Sequence, residues 1–131
     1  RSYDDPVETF TTNAIGSLNI LETVRESNSV KSLVMITSDK AYRNVEWIWG
    51  YKEDDKMGGK DIYSGSKGAA ELVIKSYFHS FFKLDHSNVC LAVARAGNVI
   101  GGGDWSNFRL IPDYYRSYIG KKNLIIRYYY W

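Results

Sequence analysis

The chain has 131 residues, 44% of them hydrophobic and 24% charged, proportions that fit one soluble globular unit. Its net charge of +2, with Lys and Arg interspersed among acids, excludes an electrostatic grip on nucleic acid. Cys90 is the single cysteine, so no intrachain disulfide can form, and no apolar run approaches the roughly 18 residues that cross a bilayer; the cytoplasm is the expected compartment.

Asp4-Asp5-Pro6 supplies a capping acid and a proline at the first helical position. Val7, Phe10, Ala14, Leu18, Leu21 and Val24 then form one stripe, predicting a helix of about twenty residues against a sheet. Thr11 and Asn13 on this helix read as packing residues. Val30 to Lys40 is an apolar run of strand length that stops at small and polar residues, the pattern of a buried parallel strand. Positions 41–62 show no helical period and are expected to be irregular, with room for a short hairpin. Within them Trp47, Trp49 and Tyr51 alternate as one face of a strand, which suits a core edge or a subunit contact.

A second helix is predicted from Tyr63 to about Phe82, its apolar positions Ala70, Val73, Ile74, Tyr77 and Phe81 recurring at three to four residues. A polar turn follows through Asp85-His86-Ser87-Asn88. Cys90 to Val99 reads as a second strand running into Gly101-Gly102-Gly103, where Cys90 packs as a small hydrophobe. Helix alternating with apolar strand is the pattern of crossovers in a parallel sheet, so the fold class is α/β. Nothing repeats internally, and His79 and His86 have no metal-ligand spacing.

The chemistry concentrates in two places. Tyr63 and Lys67 are about one helical turn apart and leave the same face. A cation beside a phenol favours the phenolate, moving a pKa of about 10 toward the range that general-base catalysis needs. The same spacing at Tyr118 and Lys122 is accidental, because Gly120 interrupts it. Thr37, Ser38, Asp39 and Lys40 end the first strand, and ligands of open parallel sheets bind beyond the carboxyl ends of the strands. Each group also has a plainer reading: Tyr63 as a packing residue with a wet hydroxyl, Ser38 as a turn hydroxyl, Asp39 as a cap.

On these residues the chain resembles the extended short-chain dehydrogenase/reductase superfamily, and within it the CDP-glucose 4,6-dehydratases. Thr37-Ser38-Asp39-Lys40, Glu46-Trp47-Ile48-Trp49-Gly50-Tyr51, Met57-Gly58-Gly59, Tyr63-Ser64-Gly65-Ser66-Lys67-Gly68, Ala94 through Trp105 and Leu110-Ile111-Pro112-Asp113 carry the resemblance. The two-tryptophan segment and the Gly-Gly-Gly-Asp-Trp loop mark the CDP-sugar branch. Ile62 and Lys56 stand where the family usually has proline, and residues 128–131 depart from it.

The resemblance implies a partial Rossmann-like parallel sheet with flanking helices, lacking an N-terminal glycine-rich unit. No Gly-x-Gly-x-x-Gly follows a strand here, and the chain opens at Arg1 without an initiator methionine. Residues 1–131 are accordingly expected to be a single partial domain, the later part of a dinucleotide-binding domain with the start of a substrate-binding region near 101–131. This segment alone is expected to be inactive.

The implied reaction converts CDP-glucose to CDP-4-keto-6-deoxyglucose, a precursor of polysaccharide sugars, with NAD returned to its starting state. The resemblance casts Tyr63, Lys67, Ser38, Asp39 and Lys40 as catalytic. Tyr63 takes the proton of the carbon-4 hydroxyl, Ser38 hydrogen-bonds that oxygen, and Asp39 protonates the departing hydroxyl. Lys40 stands where related dehydratases carry a glutamate base, and it is either the base or an electrostatic contact. Tyr63, Lys67, Thr37 and Arg95 are cofactor candidates. Arg95 is open between the cofactor and a structural carboxylate. Ser38, Asn98 and Arg109 are substrate candidates, Arg109 against the plainer reading of an exposed loop arginine. A homodimer or higher homo-oligomer is implied. An epimerase or reductase on the same scaffold, and a non-catalytic segment, are the alternatives; Asp39 argues against the first.

Overall fold

The computed structural model describes residues 2–83 and 87–126. His86, part of the turn at 85–88, and the divergent residues 128–131 lie outside them. Two compact units result, Arg1–Gly97 and Asn98–Trp131.

The first unit opens with α1, Pro6–Phe10, where Asp5 Oδ1 accepts the Glu8 amide at 2.8 Å and proline occupies the first turn. Helical backbone continues through a π-helical turn, Thr11–Ile15, into α2, Gly16–Glu26. The predicted helix is therefore one run with a widened turn in it. Strand β1 spans Ser32–Ser38 and ends in a 3₁₀ turn, Asp39–Ala41. Helix α3, Ile62–Tyr77, continues as a second π-helical turn, Phe78–Phe82, and β2 covers Cys90–Ala96.

The strands pair in parallel, in register from Ser32 opposite Cys90 to Ser38 opposite Ala96. Leu21, Val24, Met35, Ile74 and Phe82 form the core, with Leu33, Val73, Tyr77 and Leu91 packed around it. This joins α2 and α3 to one face of the sheet. The parallel strand expected to be buried is covered on one face among the described residues. The pleat sends Leu33, Met35 and Thr37 toward the helices, whereas Val34 and Ile36, on the alternate face, are 57% and 66% exposed.

Between β1 and α3 the irregular segment contains one antiparallel bridge, Tyr42 with Met57, flanked by Arg43 N–H donating to Lys56 O and Gly58 N–H to Ala41 O. Tyr51 stacks on Tyr42 at 5.1 Å and meets Trp47 at 5.5 Å, while Trp49 is exposed.

A hydrogen-bonded clamp joins α2 to α3. Tyr77 donates to Glu22 Oε2 at 2.9 Å, and Arg25 pairs with the same carboxylate. The Arg25 and Tyr77 hydrogen bonds hold Glu22 at about 2, below its ordinary 4.5. A depressed carboxyl contributes stability above its ordinary value and loses it as pH falls through the folded one. Acid unfolding followed by circular dichroism should thus show a component between these values in the parent protein that Glu22→Gln removes.

In the second unit α4 spans Leu110–Ile119 and ends at Gly120, which confirms that the Tyr118–Lys122 spacing is not helical. Arg116 donates to the carbonyls of Trp105 and Ser106 and pairs with Asp113, folding the 104–109 loop onto the helix.

Candidate active site

Helix α3 is started by Asp61, whose Oδ1 accepts the Ser64 amide at 3.0 Å and whose Oδ2 accepts the Ser64 hydroxyl at 2.6 Å. Partial burial opposes ionisation of Asp61, but these bonds hold its carboxyl below its ordinary value. Tyr63 thereby falls in the first turn. It is 39% exposed, and the Lys67 ammonium lies 5.7 Å from its ring centroid. Beyond that ring contact, the Tyr63 hydroxyl and Lys67 ammonium make no hydrogen bond among the described residues.

Ser38 closes β1. Its hydroxyl donates to Asp39 Oδ1 and accepts the Lys40 amide, both at 3.2 Å, so the plainer turn-capping role is physically present. Asp39 Oδ2 lies 3.8 Å from where a Cβ would stand on Gly97, just past the end of β2. Lys40 is exposed, with no ion pair among the described residues.

Helix α3 packs on this turn: a Cβ on Gly68 would lie 3.7 Å from Ala41 O and 3.4 Å from Gly58 N. The helix carrying Tyr63 and Lys67 and the turn carrying Ser38, Asp39 and Lys40 are therefore neighbours at the carboxyl end of the sheet. The approach is set by glycines. Gly58 takes a φ of 107°, and a Cβ on Gly59 would stand 1.9 Å from Ser64 Cβ.

Thr37 and Arg95, both read from the sequence as cofactor contacts, are joined to a residue that reading passed over. Glu71 is buried and accepts from the Thr37 hydroxyl, from Arg95 Nε at 2.9 Å and from Arg95 Nη2 at 3.1 Å. Arg95 also donates to Glu53 O at 2.8 Å and lies 4.7 Å from the Tyr42 ring centroid. Burial works against the guanidinium's charge, but the hydrogen bonds to Glu71 hold its pKa above the ordinary value. Of the two alternatives for Arg95, its guanidinium here faces the carboxylate. A signal for Glu71 was available: a lone acid in the apolar run Ala69 to Ile74, four residues beyond Lys67. Asn13, read as a packing residue, donates to the Ser66 hydroxyl at 2.9 Å, which in turn donates to Tyr63 O at 2.7 Å.

In the second unit Asn98 and Arg109 line one cavity of about 450 Å³, together with Trp105, Phe108, Pro112 and Tyr115. A Cβ on Gly101 or Gly102 would meet no protein atom within 4 Å. A cavity of about 590 Å³ in the first unit is lined by Tyr42, Met57, Leu72, Phe78, Leu91 and Arg95, among others, and by neither Tyr63 nor Lys67. Among the described residues no three His, Cys, Asp or Glu side chains are grouped to hold a metal, and no helix is long and apolar enough to cross a membrane.

The family model for GDP-mannose 4,6 dehydratase matches residues 1–93. The chain belongs to this family. It is 52% identical over 129 residues to a CDP-glucose 4,6-dehydratase of Salmonella typhimurium, covering 96% of this chain and 36% of that protein. A CDP-paratose 2-epimerase of Salmonella typhi is 26% identical over 122 residues, covering 82% of this chain and 34% of that protein. Among solved structures, a dTDP-glucose 4,6-dehydratase of Streptomyces venezuelae with NAD bound superimposes with a TM-score of 0.77 at 21% identity, over 95% of this chain and 36% of that one. A UDP-N-acetylglucosamine 4-epimerase of Methanobrevibacter ruminantium gives 0.74 at 21% identity, over 92% of this chain and 37% of that one. The chain thus spans about a third of the length of these family relatives, and the shared fold is the Rossmann-like one expected from the sequence.

Proposed function

We propose that this chain carries the acid–base face of a CDP-glucose 4,6-dehydratase. The observation that carries the reading is the 52% identity to such an enzyme along 96% of the chain. Its support in the geometry is that Tyr63 and Lys67 open a helix packed on the turn Asp39–Ala41.

The donor set fits a nicotinamide dinucleotide. Lys67 presents an ammonium with three donors, uncommitted to any acceptor among the described residues, beside a phenol on the same helical face. When bound, NAD supplies an acceptor for the carbon-4 hydride and the source of its return. Tyr63 removes the proton of the carbon-4 hydroxyl, and Ser38 donates to the same oxygen. A ketone at carbon 4 acidifies the carbon-5 proton, so water can be eliminated across carbons 5 and 6. Asp39 delivers the proton to the departing carbon-6 hydroxyl. Asn98 and Arg109 hold the nucleotide-sugar diphosphate through their cavity. Residues 1–131 then form the later part of the dinucleotide-binding domain and, from about 101, the start of the substrate-binding region. The enzyme works in the cytoplasm as a homo-oligomer, supplying 6-deoxy sugars for polysaccharides.

The test is to incubate the full-length protein with CDP-glucose and NAD and to look for a 6-deoxy-4-ketone by mass spectrometry. Isomerised sugar with no loss of water would favour an epimerase. Lys40, exposed and without an ion pair among the described residues, is assigned as the carbon-5 base, a role that requires its ammonium to lose the proton when bound substrate buries it; the alternative role is an electrostatic contact. Lys40→Met is expected to cut solvent-deuterium incorporation at carbon 5 by on the order of 10²-fold. Unchanged exchange and turnover would take Lys40 out of the mechanism.

A further inference from the structure

We propose that Glu71 is a positioning residue for the Tyr63–Lys67 pair, acting as a three-way latch between α3 and the carboxyl ends of both strands. The inference rests on the active-site reading above and adds to it a residue that touches neither substrate nor cofactor.

Thr37 and Arg95 stand opposite one another in the parallel register, one residue short of Ser38 and Ala96. Glu71 reaches both. Its Oε1 is shared between the Thr37 hydroxyl and Arg95 Nε, and Oε2 takes Arg95 Nη2. The two charged side chains are 6% and 16% exposed, and no buried polar side-chain atom among the described residues lacks a partner. Burying an ion pair is costly and is offset only when geometry is good and the remaining hydrogen-bonding capacity is met. Both conditions hold: the pairing is bidentate, and the spare lone pair goes to a hydroxyl. The guanidinium extends the latch to the bridge segment through Glu53 O and the Tyr42 ring.

Position gives the latch its consequence. Tyr63, Lys67 and Glu71 follow at four-residue intervals, so they share one face with only about 40° of drift per step. Holding Glu71 to Thr37 and Arg95 sets both the rotation of α3 about its axis and its height above the strand ends. Side chains stand about 5 Å from a helix axis, so a rotation of about 10° moves their tips by about 1 Å. A displacement of that size can lower turnover on the order of 10²-fold. Ser38 follows Thr37 directly, so the same carboxylate governs where β1 delivers its hydroxyl.

The experiment compares the full-length, NAD-loaded protein with Glu71→Gln, Thr37→Val and the double variant, with Tyr63→Phe as the reference for the active-site reading. Glu71→Gln is expected to lower kcat by roughly 10- to 100-fold with KM for the nucleotide sugar unchanged, and to move the acid limb of the kcat profile to higher pH. Thr37→Val should show a smaller loss of the same kind. The double variant should be no worse than Glu71→Gln alone, because both act through one unit. Parent kcat and an unmoved pH limb, with only a lowered melting midpoint, would make the bridge purely structural and overturn the proposal. Should Glu71→Gln fail to fold, Thr37→Val decides by the same readouts. If Tyr63→Phe keeps full turnover, the active-site reading fails by itself, whatever Glu71 does.

Discussion

Tyr63→Phe is expected to lower kcat by on the order of 10²- to 10⁴-fold, the range for loss of a positioned general base, and to leave the fold intact. Both halves of that expectation follow from where the phenol sits. Phenylalanine keeps the ring that Lys67 approaches at 5.7 Å, and the first turn of α3 is held by Asp61 and Ser64 rather than by the tyrosine. The hydroxyl itself makes no hydrogen bond among the described residues, so its removal leaves no orphaned buried partner, and the stability change should stay within about 0.5 kcal/mol. Activity and stability are therefore expected to separate. Steady-state turnover on CDP-glucose, measured beside the thermal midpoint of the full-length protein, checks this. A variant that turns over at the parent rate would remove Tyr63 from the chemistry. One whose midpoint falls steeply would mark it as a packing residue, the plainer reading of a tyrosine at a helix start.

The second large effect is expected at a residue with no chemistry. Gly59→Ala places a methyl 1.9 Å from Ser64 Cβ, 2.8 Å from its hydroxyl and 3.1 Å from its Cα. Ser64 is buried and is bound through both its amide and its hydroxyl to Asp61, so no flexible tip can swing away. Either the 57–60 segment or the start of α3 must move. Overpacking of this kind costs about 1–3 kcal/mol, and here the displaced backbone adjoins Tyr63, so kcat should fall along with stability. Gly50→Ala is the matched control: nothing lies within 4 Å of its Cβ position, and its effect should stay within about 0.5 kcal/mol. Paired denaturation curves and kcat values for the two variants test the argument. Equal stabilities would mean that the close approach of Gly59 to α3 is not a constraint on the fold.

The helices and strands of the first unit were legible because each was written in neighbouring residues, whereas α4 was not read from the sequence. Asp5-Pro6 announced a helix start, the apolar stripe gave the length of α1 through α2, and the polar stop after Ile36 placed Thr37 to Lys40 at a strand end. Tyr63 and Lys67 could be paired because a four-residue interval on a helix is a statement about space as well as sequence. The α/β class followed from alternation alone, and its Rossmann-like form from the family resemblance. The π-helical turns at Thr11–Ile15 and Phe78–Phe82 were not legible, since no residue pattern read here distinguishes a widened turn from an ordinary one.

By itself, then, the amino-acid order determined which segments of the first unit are helix and strand and which polar groups end up at the strand ends, for those depend on period and on local capping. Only the tertiary structure decided that β1 is covered on one face in this unit, that Gly59 must lack a side chain, and that Glu71 holds Thr37 from 34 residues away and Arg95 from 24. The physical reason is the same in each case. Such contacts join residues that no short-range period relates, and a buried carboxylate takes whichever donors the packing of the helix on the sheet brings within reach.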